Sequence, residues 1–239
     1  MDVWTKKFPL GFSFTDRGDR LSLWAMFDFF QEAATFHAEV LGVGKNDLDA
    51  KRQGWALSRM ELEVLKRPHY NEEITVRTWP HGSEKLFAIR DYDIYAGDEP
   101  LVLARSNWLI WDIDNRRPLR IGPIAESLPA NEGRDSLPAD RRIVPALGEM
   151  PGLQACGSRK AAYSDVDSNG HVNNARYIQW IQDITEPAIL ENADKMHFVI
   201  NYVAEIHPGE TIDLFCGGGC YEGRKQDGTV SFRAKLEIV

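Results

Sequence analysis

The first half of the chain opens with an apolar pattern that repeats at helical spacing. Large apolar residues and one histidine recur every three or four positions across residues 23–41, and Gly42 follows as a stop signal. The positions are Leu23, Met26, Phe27, Phe30, Ala34, His37 and Leu41. This spacing predicts one helix of about twenty residues with a heavily apolar face.

Alternating apolar and polar positions follow this helix in several short segments. Strand signals occur in "EEITVRTW", "KLFAIRDYDIYAG" and "LVLARSNWLIWDID", separated by turn residues. A second apolar helix is expected near residues 173–186, ended or kinked by Pro187. Strands then resume with "MHFVINYVAEI", "ETIDLFCGG" and "TVSFRAKLEIV". The two halves therefore share one order of elements, a helix followed by an antiparallel meander.

This repeated order predicts an α+β chain in two tandem units, each an antiparallel sheet wrapped around one helix. We expect an N-terminal repeat over residues 1–117 and a C-terminal repeat over residues 153–239. Six of the twelve prolines fall between Pro118 and Pro151. Residues 118–152 are therefore expected to form a linker with little regular structure.

Charge and hydropathy narrow the class of partner. The 239 residues carry a net charge of −8 without a basic run interleaved with aromatics, so we expect no nucleic-acid partner. No apolar run reaches the ~18 residues that a membrane helix needs, so we expect no membrane insertion. The start, "MDVWTKKFPLGF", lacks a long apolar segment and an Arg/Ser bias, which predicts a cytoplasmic protein.

The three cysteines, Cys156, Cys216 and Cys220, predict no disulfide framework. If "CGGGC" lies in a strand, Cys216 and Cys220 are ~13 Å apart at ~3.3 Å per residue, too far for a disulfide. Two cysteines without a second pair also make a poor zinc site. We expect small strand residues here, with glycines at a bulge.

The segment "SDVDSNGHVNNARYIQW" allows two chemical interpretations. The first is a calcium loop, whose opening pattern is fitted by Asp165, Asp167, Asn169 and Gly170. The twelfth position of such a loop needs a bidentate carboxylate, and Arg176 stands there instead. Because a cation opposes calcium binding, we expect no metal site. The second interpretation is a turn that sets a histidine and two amides just before a helix.

This segment resembles the D-x-D-x-N-x-H-V-N-N-x-x-Y-I motif of the acyl-acyl carrier protein thioesterases, the plant fatty-acid chain terminators and their bacterial relatives. Similar stretches are "FQEAATFHAEVLG", "WALSRMELEV", "SNWLIWDIDNRRPLRI" and "NYVAEIHPGETI", so the resemblance runs from about Phe8 to the C-terminus. It implies a double hot-dog fold in one chain. It also implies a thiolester hydrolase of fatty acid biosynthesis that needs no cofactor.

The resemblance places the catalytic positions on Asp167, Asn169, His171 and Glu205. Glu205 is expected to activate the attacking water, and His171 to orient that water or polarise the thioester. Asn169 can donate its amide to the substrate carbonyl and Asp167 can position a neighbour, although both also suit a turn or cap. Plant members often have a cysteine after the glutamate. Ile206 stands here, which excludes a cysteine nucleophile at this position.

The first half is expected to shape an acyl pocket rather than a second catalytic site. Its corresponding segment, "TDRGDRLSLW", has no histidine or asparagine, which predicts one active site per chain. The first helix carries more large side chains than one buried stripe needs. We expect the acyl chain to be bound by Trp24, Met26, Phe27 and Phe30. Asn173 and Asn174 are expected to cap the second helix.

The expected partner is an acyl carrier protein bearing a phosphopantetheine-linked acyl chain; a homodimer is one option. Acyl carrier proteins are acidic, so docking on this acidic chain needs local basic residues. The candidates are Arg116, Arg117, Arg120, Arg141, Arg142, Arg159, Lys160 and Arg176. Two alternatives stay open: another hot-dog enzyme, either an acyl-CoA thioesterase or a 3-hydroxyacyl dehydratase, and a non-catalytic acyl-binding module.

Overall fold

A computed structural model describes residues 2–125, 127–129, 131 and 133–239. Met1 of the predicted first repeat, and Glu126, Ala130 and Glu132 of the predicted linker, lie outside the described residues. The strands are β1 (Trp4–Pro9), β2 (Gln53–Val64), β3 (Glu73–Glu84), β4 (Phe87–Ala96), β5 (Glu99–Asp112), β6 (Arg117–Leu119), β7 (Gln154–Lys160), β8 (Met196–Tyr202), β9 (Thr211–Gly217), β10 (Cys220–Lys225) and β11 (Val230–Ile238). The helices are α1 (Leu23–Val40), α2 (Lys45–Asp49), α3 (Gly122–Ala125), α4 (Asn174–Ile184) and α5 (Pro187–Asn192).

The strands of the described residues form one antiparallel sheet in the order β1-β3-β4-β5-β2-β8-β11-β10-β9-β7, with β6 paired to β5. The first-half order β1-β3-β4-β5-β2 recurs in the second half as β7-β9-β10-β11-β8. The expectation of two separate sheets needs correction, because residues 59–64 of β2 pair with residues 196–201 of β8. This pairing satisfies backbone groups that two free sheet edges would leave open.

Helix α1 is confirmed close to its predicted span, and it lies in the core. Ser22 precedes it in extended backbone, the helix ends at Val40, and Gly42 follows with a φ of +70°. Phe27 of α1 packs edge-on against Phe198 of β8, with ring centroids 5.7 Å apart. A helix of the first half thus contacts a strand of the second, so the two halves share one core.

Helix α4 begins as predicted and ends earlier. It stops at Ile184, and Pro187 opens the separate helix α5 at a first-turn position, where a missing backbone N–H costs nothing. The proline therefore starts a new helix rather than kinking the old one. Within the described residues, we find no helix with the length and hydropathy of a membrane span.

The second part of the predicted linker contacts strand residues on the sheet face opposite α1, through residues 135–144. The linker contains helix α3 and a 3₁₀ turn at Ala139–Arg141. Beneath it, the fully buried Arg105 donates to both carboxylate oxygens of Asp91, at 2.6 Å and 2.7 Å, and to the Arg141 carbonyl at 3.1 Å. The linker thus adds further partners to a buried charge that β4 already pairs.

The expectation that the cysteines form no disulfide was wrong, although Cys216 and Cys220 do not pair with each other. Cys156 is the extra residue of a β-bulge in β7, and it forms a disulfide with Cys216 of β9 at a Cα–Cα distance of 6.0 Å. A cross-strand pair of this kind depends on the bulge, which the sequence does not display. "CGGGC" is a hairpin rather than a strand, because Gly218 and Gly219 adopt φ of +57° and +75° between β9 and β10. Glycine allows this two-residue turn at little cost.

Candidate active site

The turn before α4 is a hydrogen-bonded unit that includes three predicted catalytic residues. The Asp167 N–H donates to the His171 carbonyl at 3.0 Å, and the Gly170 N–H donates to the Asp167 carbonyl at 3.0 Å. The Asp167 carboxylate accepts from the Asn169 backbone N–H at 2.8 Å. Gly170 has a φ of +85°, which glycine adopts readily. The backbone therefore holds Asp167, Asn169 and His171 together.

Helix α4 is anchored directly behind this turn. Asn173 caps it by accepting from the Ala175 N–H at 2.9 Å, which confirms one of the two predicted caps. Asn174 is instead the first helical residue, and its carbonyl accepts from the Tyr202 hydroxyl at 3.1 Å. Burial raises the pKa of Tyr202 well above its ordinary value, which keeps this hydroxyl a donor. The helix N-terminus therefore has a fixed position beside β8.

Glu205 approaches the turn from the loop after β8, so its predicted place within a strand needs correction. The strand ends at Tyr202. Its ladder stops because the N–H groups of Val203 and Ala204 both donate to the Ser231 carbonyl, at 2.8 Å and 3.1 Å. Hydropathy alone does not reveal this end, because "VINYVA" continues the apolar pattern.

The structure brings Glu205 and His171 together. The Val172 N–H donates to the Ile206 carbonyl at 2.9 Å, which holds the Glu205 loop against the turn. His171 Nε2 then lies 3.6 Å from Glu205 Oε1, and the two side chains are 30% and 50% exposed. Both groups can reach solvent and a bound substrate. Ile206 is fully buried, and its alkyl side chain carries no nucleophilic atom.

A cleft of about 350 Å³ lies between this turn and the first half of the chain. The second half lines it with Asp167, Ser168, Asn169, Asn173 and Asn174. The first half and the linker line it with Gln31, Glu32, Ala34, Thr35, Ala38, Gly44, Lys45, Leu48, Asp49, Gly54, Trp55, Pro80, Ala88, Ile89, Arg90, Trp108 and Leu128. Of the predicted catalytic set, Asp167 and Asn169 line the cleft, whereas His171 and Glu205 pair beside it.

The residues predicted to bind the acyl chain lie in the core. Met26, Phe27 and Phe30 are buried, and Trp24 lies under the Arg176 guanidinium, 5.5 Å from ring centroid to charge. These four residues line neither the cleft nor a second cavity beside β1. The cleft wall comes from residues 31–38 of α1 instead. An acyl-binding role for the four therefore stays a prediction.

The first half contains the same turn. The Asp16 N–H donates to the Arg20 carbonyl at 2.8 Å, and the Asp16 carboxylate accepts from the Gly18 N–H at 2.8 Å. The Leu21 N–H donates to the Pro68 carbonyl at 2.8 Å, as the corresponding backbone bond does in the second half. By this correspondence, Asp16 matches Asp167, Arg20 matches His171, and the residue before Pro68 matches Glu205.

In the first half, the corresponding turn contains an ion pair between Arg67 and Asp16. Arg67, in the place of Glu205, is buried and binds the Asp16 carboxylate, and it also donates to the Leu21 carbonyl at 2.9 Å. Burial pushes the pKa of Asp16 upward, but the Arg67 guanidinium outweighs it and holds that pKa below its ordinary value. In the first half, the charged side chains of Arg67 and Asp16 are thus paired inside the protein. In the second half, the side chains of Glu205 and His171 stay partly exposed.

Sequence reasoning missed Arg90, which lines the cleft from β4 and is 8% exposed. A signal was present in "FAIRDYDIYA": Arg90 alternates in phase with Ala88 and Tyr92, the inward positions of this strand. A cation on the apolar face of a strand is uncommon, and it is often functional or paired.

One group of potential metal ligands occurs among the described residues, formed by His81, Asp91 and Asp135. Its members come from β3, β4 and the linker, so the sequence spacing gave no sign of it. Arg105 already binds Asp91 at 2.6 Å and Asp135 at 2.9 Å, and His81 Nε2 lies 3.0 Å from Asp135 Oδ1. With a guanidinium on both carboxylates, we assign this group as an ion-pair network.

Solved structures place this architecture among the hot-dog thioesterases. An acyl-ACP thioesterase from Bacteroides thetaiotaomicron is 26% identical, with a TM-score of 0.85 over 98% of this chain and 96% of that one. The 12:0-ACP thioesterase from Umbellularia californica is 20% identical, with a TM-score of 0.83 over 98% and 96% of the two chains. The fold class predicted from the repeated pattern and the motif is confirmed.

The family follows from the sequence of both halves. Residues 1–126 match the Acyl-ACP thioesterase N-terminal domain, and residues 157–238 match the C-terminal domain. The chloroplastic palmitoyl-acyl carrier protein thioesterase of Cuphea hookeriana is 26% identical over 197 residues, 77% of this chain and 47% of that protein. Chloroplastic oleoyl-acyl carrier protein thioesterase 2 of Arabidopsis thaliana is 24% identical over 177 residues, 66% and 46% of the two. The chain belongs to the acyl-ACP thioesterase family, and it spans about half the length of these curated relatives.

Proposed function

We propose that this chain hydrolyses the thioester of fatty acyl-ACP to a free fatty acid and ACP. The observation that carries the proposal is the arrangement of the turn before α4. Asp167 and Asn169 line the cleft, and His171 lies 3.6 Å from Glu205 beside them. Family membership supports the reaction class, which is a cofactor-independent thiolester hydrolysis of fatty acid biosynthesis.

In the proposed mechanism, Glu205 takes a proton from water as the water attacks the thioester carbonyl. His171 orients this water through its ring nitrogen and stabilises the charge that develops next to it. Proton transfer to the departing thiolate completes the reaction and regenerates the carboxylate. No covalent intermediate with the enzyme is required, in keeping with Ile206 at the position of the plant cysteine.

The oxyanion needs donors in fixed positions. We propose the side-chain amide of Asn169, together with backbone N–H groups at the start of α4. The Asp167 carboxylate positions Asn169, because its two oxygens lie 2.8 Å from the backbone nitrogen and 3.5 Å from the side-chain Nδ2. Asp167 thus acts through its neighbour rather than on the substrate.

The acyl chain is proposed to enter the cleft toward the first half. The apolar part of the cleft wall there includes Leu48, Trp55, Ala88 and Trp108, next to a small cluster of buried residues. This assigns pocket formation to the N-terminal repeat over residues 1–117 and catalysis to the C-terminal repeat over residues 153–239, joined by the linker of residues 118–152.

For the carrier protein, we propose docking beside the catalytic turn. Lys160 is exposed at the end of β7, directly before the turn, and Arg176 lies in the first turn of α4. Two other predicted candidates are already paired with carboxylates: Arg159 binds Asp183 at 2.8 Å, and Arg141 binds Glu61 at 2.9 Å. Arg176 contacts the uncharged side chains of Gln179 and Trp24. A cytoplasmic location and a homodimer remain predictions from the sequence.

The direct test supplies purified protein with matched acyl-ACP and acyl-CoA thioesters of graded chain length. Free thiol and fatty acid are measured, each with and without EDTA. The proposal expects fatty acid release from acyl-ACP that is faster than from acyl-CoA and unaffected by EDTA. Preferential acyl-CoA hydrolysis would instead favour an acyl-CoA thioesterase, enoyl product from 3-hydroxyacyl substrates a dehydratase, and tight binding without turnover an acyl-binding module.

A further inference from the structure

The cleft contains a buried cation that the proposed hydrolysis does not use. Arg90 of β4 is 8% exposed and lines the cleft wall. Its Nη1 donates to His37 Nδ1 at 3.1 Å and to Thr78 Oγ1 at 3.2 Å. Because a guanidinium only donates, His37 Nδ1 accepts this bond, which places the imidazole proton on Nε2. Both partners of the cation are therefore uncharged.

Two other deeply buried arginines of this chain are paired with carboxylates. Arg105 binds the carboxylates of Asp91 and Asp135, and Arg67 binds that of Asp16. Among the described residues, no ion pair joins Arg90 to a carboxylate, and burial lowers its pKa. A buried cation without a counter-charge is costly, so its presence beside a binding cleft favours a ligand that supplies an oxygen.

A second polar group of the same cleft lacks a partner. Gln31 of α1 lines the cleft, and its Oε1 is buried without a hydrogen-bond donor. Arg90 offers a donor to the cleft and Gln31 offers an acceptor. A saturated acyl chain satisfies neither group. A hydroxyl group has the chemistry that both groups need, because its oxygen accepts from a guanidinium and its O–H donates to an amide oxygen.

Building on the proposed hydrolysis, we infer that the cleft selects acyl chains that carry a hydroxyl group, which is held by Arg90 and Gln31. The apolar wall around Leu48 and Trp55 accepts the hydrocarbon part of the same chain. Sites that hydrogen-bond a substrate hydroxyl discriminate strongly against the analogue without it, because the buried polar groups are then left unpaired.

The test compares acyl-ACP substrates of one chain length: saturated, 3-hydroxy, 3-oxo and hydroxylated at the terminal carbon. Wild type is expected to show a kcat/KM for at least one hydroxyacyl-ACP that is about tenfold or more above that for the saturated chain. The position of the preferred hydroxyl reports how far along the chain Arg90 lies. A saturated or 3-oxo substrate that is hydrolysed faster than both hydroxyacyl substrates overturns the inference without any variant.

Two variants test the assigned residues. Arg90→Met and Gln31→Leu should each reduce the preference for the hydroxyacyl substrate by about tenfold or more while the saturated substrate is still hydrolysed. Gln31→Leu removes no charge, and it keeps the test valid if Arg90→Met does not fold. The matched control is Arg59→Met: Arg59 is a half-buried arginine that donates to the Val144 carbonyl at 3.0 Å and does not line the cleft.

The outcomes separate this inference from the proposed function. Hydrolysis of all substrates with the same preference in wild type, Gln31→Leu and Arg59→Met overturns the hydroxyl site and leaves the thioesterase proposal intact. No hydrolysis of any acyl-ACP overturns the proposed function, and the inference falls with it. A preference lost in Arg90→Met or Gln31→Leu and retained in Arg59→Met supports both.

Discussion

Two aspartates occupy the same position of the same turn in the two halves of this chain. Asp167 accepts from the Asn169 N–H at 2.8 Å and faces the cleft. Asp16 accepts from the Gly18 N–H at 2.8 Å, but it also binds the buried Arg67. Identical local geometry therefore serves a candidate active site in one half and an internal ion pair in the other.

We predict that alanine at these two positions has opposite effects. Asp167→Ala should lower kcat by about 10-fold to 10²-fold with little change in stability, because it loosens an oxyanion donor. Asp16→Ala should leave kcat nearly unchanged. It should lower the free energy of unfolding by about 3–5 kcal/mol, because it leaves the Arg67 charge buried and unpaired. Urea unfolding and acyl-ACP kinetics on both variants check this; a stability loss of equal size in both would contradict it.

Helix α1 and the turn before α4 could be predicted because their signals are local. Helical periodicity marks residues 23–41, and Asn173 stands at the cap before the second apolar helix. Three other features could not be predicted: the single sheet, the Cys156–Cys216 disulfide and the end of β8. Each of them depends on pairing between distant strands. The cleft wall was missed for a related reason, because α1, α2, β2 and β4 meet only in the folded chain.

Within strand β2, Gly54 is a position at which a larger side chain would reduce the volume of the cleft. It lines the cleft, and a Cβ added to it meets no atom within 4 Å. We predict that Gly54→Leu folds normally and moves the product profile toward shorter fatty acids, because the new side chain occupies space meant for the acyl chain. Each methylene excluded is worth ~1–3 kcal/mol of discrimination in such a pocket. Gas chromatography of the released acids measures the shift.

Two comparisons make that result interpretable. Gly54→Ala should give a smaller shift in the same direction, since it adds one methyl group. Phe27→Ala should lower stability by about 3–5 kcal/mol through a core cavity, with an unchanged profile. A changed profile in Phe27→Ala would show instead that the acyl chain reaches the N-terminal half of α1, as the sequence alone suggested. No shift in Gly54→Leu would contradict the assignment of the cleft.

For the whole molecule, the junction between the halves contains a titrating pair. Glu61 of β2 is buried and accepts from His197 Nε2 of β8 at 2.8 Å and from Arg141 of the linker at 2.9 Å. Burial pushes the pKa of Glu61 upward, but the hydrogen bonds from His197 and Arg141 outweigh it and hold that pKa below its ordinary value. The same hydrogen bond, donated by His197 to the Glu61 carboxylate, raises the pKa of His197.

These directions predict a pH dependence of stability. A raised histidine pKa adds stability that is fully present below the ordinary value of ~6.5 and is lost as pH rises through the folded-state value. The free energy of unfolding should therefore decline as pH rises above about 6.5. His197→Gln should flatten this decline, whereas His207→Gln, at an exposed site outside the junction, should not. Urea titrations at several pH values check it; an unchanged slope in His197→Gln would contradict the assignment.

Docking of the carrier protein involves the charged surface of the whole molecule. If the acidic carrier protein docks beside the turn, Lys160→Glu and Arg176→Glu should raise KM for acyl-ACP by about tenfold at low salt, and the effect should shrink as salt is added. KM for a short acyl-pantetheine surrogate should stay constant. Lys195→Glu, at the opposite end of β8 from Glu205, is the matched control. Equal changes for both substrates would refute docking at this surface.

Hydrolysis of acyl-ACP by Glu205 and His171 can be tested in one set of kinetic measurements. Fatty acid release from acyl-ACP is followed for wild type, Glu205→Gln, His171→Ala and the control Glu72→Gln, whose carboxylate accepts the His69 N–H in the first half. Both site variants should stay folded and lose about 10²-fold or more of kcat, while the control keeps it. Folded Glu205→Gln and His171→Ala proteins with near wild-type turnover would contradict their catalytic role.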